Sequence, residues 1–254
     1  MNFIQVCEEE IQELNMSWEI KGVMDRNNML YTLGTDTKLI SQVFELKIMP
    51  ILMQIAKKNN LKLKKAKNQN IYPDFTLLKN ERDNAKIAID VKTTYRHGFY
   101  KKGSKKYGYS PGALKPFQYT LGSYNSYLRN NTKNIQYPYN TYKKHYIIGF
   151  LYSRRTTEAQ AMIENINAAS ENLSPYYDVE YFIQEKYKIA GEKPGSGNTE
   201  NIGSFMTNNI NDLREGKGPF SKLGQATFEE YWKNYGRHKG EKKYKTIKEF
   251  LTQK

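Results

Sequence analysis

Soft metal ligands are scarce in this chain of 254 residues, which has one cysteine, Cys7, and three histidines, His97, His145 and His238. They are too scattered for any zinc-ligand spacing, which argues against zinc chemistry. No apolar run reaches membrane-spanning length, and the first residues turn acidic at Cys7-Glu8-Glu9-Glu10, unlike a signal peptide. The expectation is a soluble, cytoplasmic protein with no membrane partner. No repeat or long low-complexity linker divides the chain, and 38% hydrophobic content suffices for a buried core, so a single domain over 1–254 is expected. Acidic residues are also in short supply, with 26 Asp+Glu against 40 Lys+Arg and a formal net charge of +14. That imbalance points to a polyanionic partner, nucleic acid first.

The basic residues bracket an acidic pair. Lys57, Lys58, Lys62, Lys64, Lys65 and Lys67 precede Pro73-Asp74, while Arg96, Lys101, Lys102, Lys105 and Lys106 follow Asp90-Val91-Lys92. Asp74 to Leu78 and Ala85 to Lys92 read as strands, the second alternating Ile87, Ile89 and Val91 with Lys86, Ala88, Asp90 and Lys92. Between them Asn80-Glu81-Arg82-Asp83-Asn84 has turn chemistry. In an antiparallel hairpin centred on Arg82, Asp74 and Asp90 are equally far from the centre and face each other, with β-carbons roughly 5 Å apart. Two such carboxylates repel unless a cation bridges them or one holds a proton. Lys92 projects from the same face, about 6 to 7 Å along the strand from Asp90. Hard oxygen ligands without cysteine or histidine favour Mg2+, with Mn2+ able to substitute, and such an ion supports phosphodiester cleavage. The plainer alternative has Asp74 capping a turn and Asp90 with Lys92 as a solvated pair on the sheet.

Elsewhere the pattern gives a helix near 3 to 18 and a second one capped by Thr35-Asp36, with Leu39, Ile40, Val43, Phe44 and Ile48 on its apolar face and Pro50 kinking or interrupting it. Glu45 in its middle reads, from pattern alone, as a solvated charge. Strands are expected at His145 to Tyr152 and Asp178 to Gln184, and a helix around Glu158 to Ala169. Thr227-Phe228-Glu229-Glu230 reads as a capping box opening a short helix. The fold class is therefore α/β, with a mixed central sheet and flanking helices. Many of the 21 tyrosines lie near lysines, although packing is the commoner use of such side chains. The run Gly191 to Ser204, rich in Gly and Asn, lacks a phosphate-loop ending. It reads either as a long surface loop or as backbone that approaches base edges, with Asn198 and Asn201 matching adenine.

Several stretches together resemble the EcoRV-type type II restriction endonucleases of the PD-(D/E)-x-K nuclease superfamily. They are Leu33-Gly34-Thr35-Asp36-Thr37-Lys38, Phe44-Glu45-Leu46, Asn70-Ile71-Tyr72-Pro73-Asp74-Phe75-Thr76-Leu77, Ile87 to Tyr95, Thr120-Leu121-Gly122, Arg129 to Ile135, Ile189-Ala190-Gly191, Gly195 to Thr199 and Tyr231 to Tyr235. The resemblance implies a restriction-endonuclease-like core with a dimerisation part and a DNA-binding, catalytic part. It implies a Mg2+-dependent homodimer that cuts both strands of double-stranded DNA at a palindrome, GATATC, bluntly at the centre. A cognate DNA methyltransferase is expected in the host. Carried over, Asp74 and Asp90 hold metal, Lys92 is catalytic, and Glu45 is an accessory catalytic acid and metal ligand. Gly195, Ser196, Gly197, Asn198, Thr199 and Asn201 look like the major-groove loop, and Gln69 and Asn70 like minor-groove contacts. Thr37, Lys38, Thr93, Thr94, Ser126, Asn131 and Lys133 look like backbone or positioning contacts.

The chain departs from the family pattern in a longer Arg96 to Pro116 segment, in Glu200 where a threonine is expected, in Asn68 where a glutamine is expected, and in the lysine-rich tail from Arg237. Two rivals use the same features: a structure-specific repair or junction-resolving nuclease, and a noncatalytic DNA-binding protein.

Overall fold

Alternating β-branched residues make Lys86–Tyr95 (β5) the middle strand of a five-stranded sheet, paired on both sides. The computed structural model describes residues 1–98, 114–155, 163–165, 174–195, 200–236 and 244–253, with only the backbone for 163–165. The chain begins with a helix, Phe3–Glu13 (α1), then two short strands, Val23–Met24 (β1) and Met29–Tyr31 (β2), and a long helix, Thr37–Lys58 (α2). Lys62–Lys65 (β3), Phe75–Leu78 (β4) and β5 follow, then Thr120–Ser123 (β6), Tyr142–Arg154 (β7), Ile163–Asn165 (β8) and Tyr176–Glu185 (β9). The remainder is Lys186–Ile189 (α3), Ala190–Pro194 (β10), Asn201–Ser204 (β11), Ile210–Arg214 (α4), Gly224–Asn234 (α5) and Ile247–Thr252 (α6).

The large sheet runs β3-β4-β5-β7-β9, antiparallel except for the parallel β5–β7 pair, so the sheet is mixed. A parallel pair needs a long crossover, here the chain from Arg96 to Thr141 that carries β6. Strand alternation divides the interior in two. Ile89, Val91, Ile148 and Phe150 face α1 and α2, while Ala88, Ile147, Leu151 and Phe182 face β6, β11 and the C-terminal helices. The second core is rich in aromatic side chains, with Tyr119, Tyr127, Tyr231, Trp232 and Phe250 all buried, so much of the tyrosine content is packing. A smaller sheet, β10-β11-β6, lies on this side, and a third, β1-β2-β8, pairs β8 with β2.

Some local expectations need correction. The first helix stops at Glu13, five residues early, because Asn15 takes a left-handed conformation with φ 43°. The helix expected around Glu158 to Ala169 contains a strand instead: Ile163, Glu164 and Asn165 pair with Tyr31, Leu30 and Met29, and a free strand edge outweighs local helical preference. The other residues of that stretch lie outside the described ones. Thr227 is inside α5 rather than at its start. Pro50 sits within an α2 that continues through it.

α2 is capped as its sequence suggests, the Asp36 side chain accepting from the amides of Lys38 at 2.7 Å and Leu39 at 3.2 Å. By length and composition it could cross a membrane, but Ile40, Phe44, Ile48, Ile51 and Ile55 are spent in the first core. Phe44 is fully buried, stacks on Phe150 at 4.3 Å and touches Tyr152 and Tyr176. Phe44→Ala is therefore expected to lower stability by about 3 to 5 kcal/mol in urea unfolding, because the cavity adds to the lost burial.

Candidate active site

The hairpin register brings the two aspartates together. Phe75 faces Ile89, Thr76 faces Ala88 and Leu77 faces Ile87, so the next position outward sets Asp74 across from Asp90, as the centring on Arg82 requires. Asp74 lies just before β4 and is fixed by its own strand partner, Oδ2 accepting from the Val91 amide at 2.7 Å. Asp90 is 3% exposed, in the middle strand. Lys92, two residues on, places Nζ 2.7 Å from Asp90 Oδ2. Among the described residues the Lys92 ammonium is the cation that faces this buried oxygen.

The electrostatics follow from this crowding. Burial raises the Asp74 carboxyl well above its ordinary value. The Asp90 charge and a hydrogen-bonding contact with Asp90 raise it further, and Lys92 opposes them. Burial alone would lower the Lys92 ammonium, but Asp90 and Asp74 outweigh it and the net shift is upward. Lys92 is thus a fixed positive charge at neutral pH rather than a base. Glu45 reaches toward the same group from α2. Burial raises its carboxyl, Lys65 and Lys92 pull it down, and Asp90 pushes it up. Its Oε1 accepts from Gln42 at 3.0 Å, and Oε2 is 3.9 Å from Lys65 Nζ.

This donor set suits a hard divalent ion. Every candidate ligand is a carboxylate oxygen, and the buried Asp90 is held across from Asp74. Among the described residues no three His, Cys, Asp or Glu side chains are grouped closely enough to form a complete metal cage. Mg2+ does not need one, since it commonly binds through one or two carboxylates and completes its shell with water and substrate phosphate.

A cleft of about 1430 Å³ opens beside the pair. It brings together Thr37, Lys38 and Glu45 of α2, Gln69, Asp74, and Lys92, Thr93 and Thr94 of β5. Asn70 is exposed next to Gln69. Three other expected contacts lie elsewhere. Ser126 is 7% exposed, in a π-helical turn at Tyr124–Leu128. Asn131 lines a separate pocket of about 500 Å³ and accepts from the Asn140 amide at 2.9 Å, and Lys133 is exposed nearby. The expected reading loop is described only at its ends. Gly195 donates to the Asn201 carbonyl at 2.9 Å, and Asn201 pairs with Ser123 of β6. Gly203 lies so close to Gly195 that a β-carbon there would be 3.0 Å from the Gly195 Cα. Ser196, Gly197, Asn198 and Thr199 lie outside the described residues, as does most of the Arg96 to Pro116 segment.

Sequence reasoning missed Gln42, Lys65, Gln118 and Met206 on the cleft wall. Gln42 was open to detection, three residues before Glu45 on one helix. Lys65 reads from sequence only as bulk charge, and its aim at Glu45 depends on β3 packing beside α2, which no local pattern encodes.

A family model described as Restriction endonuclease EcoRV matches residues 14–254. The Type II restriction enzyme EcoRV of Escherichia coli is 42% identical over 224 residues, covering 88% of this chain and 84% of that protein. The solved structure of the NlaIV restriction endonuclease covers 82% of this chain and 79% of its own at 10% identity, with a TM-score of 0.31, too low to bear on the chemistry.

Proposed function

This chain belongs to the EcoRV restriction endonuclease family, type II enzymes that cut DNA, and on that premise we propose a Mg2+-dependent homodimer that cuts both strands of GATATC bluntly at its centre. The observation that carries the reading is the facing pair Asp74 and Asp90 with Lys92 beside it, at the wall of a cleft lined by Thr37, Lys38, Thr93 and Thr94. Asp74 and Asp90 are the residues that would hold the ion, and Glu45, which is not grouped closely enough with them for a three-carboxylate site, is the accessory acid on the cleft wall. When bound, the ion supplies Lewis-acid charge to the phosphate and makes water a competent nucleophile at neutral pH.

The protein groups do the rest. Lys92, held charged by the two aspartates, offsets negative charge that builds on the phosphate oxygens during in-line displacement. Asp74 is oriented by the Val91 amide, so the carboxylate is in place before substrate arrives. Thr37 and Lys38 at the start of α2 and Thr93 and Thr94 at the end of β5 are positioned to hold backbone phosphates across the cleft. Gln69 and Asn70 take the minor groove. The segment Gly195 to Asn201 takes the major groove, and Ser126, Asn131 and Lys133 act as positioning contacts. A twofold dimer, with a dimerisation part in each chain, presents the same site to each strand of a palindrome. A flexible central TA step adds discrimination through the energy of bending. Such an enzyme works in the cytoplasm beside a methyltransferase that protects host DNA.

Digestion of plain plasmid DNA with Mg2+, followed by sequencing of the ends, tests the reading. Discrete bands ending within GATATC are expected. Cutting only at branched DNA would favour the repair-type nuclease, and a mobility shift with no cutting would leave a binding protein.

A further inference from the structure

A buried ammonium group lies behind the carboxylate pair. Lys186, where β9 passes into α3, is 2% exposed and makes no ion pair among the described residues. Its Nζ donates to the Tyr127 hydroxyl at 2.8 Å and lies 4.7 Å from the Tyr72 ring and 5.0 Å from the Tyr127 ring. Those rings stack at 4.1 Å with 11° between their planes. The Tyr72 hydroxyl is 2.8 Å from His145 Nδ1 on β7. Tyr72 stands two residues before Asp74, and Ala88 and Asp90 belong to the face of β5 that meets this core.

The same cluster reaches the other functional segment. Gly122 of β6 has φ +92°, and a β-carbon there would lie 2.3 Å from the Tyr127 hydroxyl, so only glycine lets the strand pass so close. β6 pairs with β11, and α3 leads directly into β10, which ends beside Gly195. One cation therefore touches the turn holding Tyr127, the segment leading to Asp74, and the neighbourhood of the strands that carry the Gly195 loop.

An ammonium is a poor choice for packing alone. Burying it costs free energy, and an apolar side chain of similar size would fill the space without that cost. We propose that Lys186 is a positioning residue for DNA cleavage: gripping Tyr127 and Tyr72, it fixes the approach of Asp74 to Asp90 and ties that geometry to the strands carrying the Gly195 loop. The inference rests on Asp74 and Asp90 being the cleavage site. Burial lowers the Lys186 ammonium to about 7; Asp90 and Glu229 raise it and Lys92 lowers it. Tyr72, Tyr127 and His145 also face it, the last held neutral by burial and by Lys186 itself. Its folded value lies below the ordinary 10.5, so its cost to stability is full at low pH and fades as pH rises from about 7 toward 10.5.

Lys186→Met and Tyr127→Phe in the full chain test this, using a duplex that carries the site found by end sequencing. Lys186→Met is expected to lower kcat about 10- to 100-fold, the scale of a small misplacement near the reacting groups. KM should stay within about threefold of wild type, since substrate contacts are untouched. Its melting temperature should rise, more at pH 6 than at pH 9. Tyr127→Phe removes one oxygen and should lower kcat about 10-fold, and it decides the matter if Lys186→Met does not fold. Wild-type kcat in a folded variant, or a loss confined to KM, overturns the proposal. Asp90→Ala in the same assay separates the two readings: if it still cuts, the cleavage site itself is misassigned.

Discussion

Asp90→Ala is expected to fold and bind DNA while cutting at least about 10³-fold more slowly with Mg2+, equivalent to about 4 kcal/mol of lost transition-state stabilisation. Three roles end with one carboxylate. Asp90 is the buried member of the facing pair, the partner of the Lys92 ammonium, and one of the two carboxylates proposed to share the ion. Single-turnover cleavage measures the loss, and circular dichroism shows whether the fold persists. Cutting at the wild-type rate by a folded variant would refute the role given to the pair.

A thermal assay checks the same point without DNA. In metal-free protein the Asp74 carboxyl lies above its ordinary 3.8 because of burial and of Asp90. A raised carboxyl favours the fold fully below that ordinary value, and the benefit is lost as pH rises through the folded value. A divalent ion competes with the proton for this pair, so Mg2+ should raise the melting temperature more at pH 8 than at pH 5. Asp90→Ala should show little Mg2+-dependent shift at either pH.

Lys92→Met carries the second large effect, an expected loss of about 10² to 10³ in kcat, the range for removing one preorganised group that meets developing charge. Because its neighbours hold Lys92 protonated, the loss should be similar from pH 6 to pH 8, whereas loss of a titrating base would follow pH. A second consequence concerns binding. Without the ammonium, the aspartate pair loses the positive charge that faces the phosphate backbone beside it. Metal-free DNA affinity should fall, and fall further as pH rises, in fluorescence anisotropy. Lys92→Arg should not restore the rate, since the planar guanidinium does not occupy the place of a compact ammonium.

The hairpin that carries Asp74 and Asp90 was legible because its information is local: a turn centred on Arg82, strict alternation in Ile87 to Lys92, and a register that follows from both. Asp36 as a helix cap was legible for the same reason. The strand at Ile163–Asn165 was not, because what decides it is the edge of Met29–Tyr31, far away in sequence. Glu45 looked like a solvated charge since nothing on its own helix reveals Asp90 and Lys92 across the gap. Lys186 was invisible for a related reason: a lysine in a basic chain reads as surface charge, and only the stacked tyrosines show it is inside.

Gly195 and Asn201 are joined by a backbone hydrogen bond, with Gly203 pressed against the first and Ser123 paired to the second. Both ends of the interval are thus fixed by bonds that involve none of its side chains. On the proposed reading of this interval as the major-groove loop, exchange of the short stretch should change sequence preference without breaking those backbone bonds.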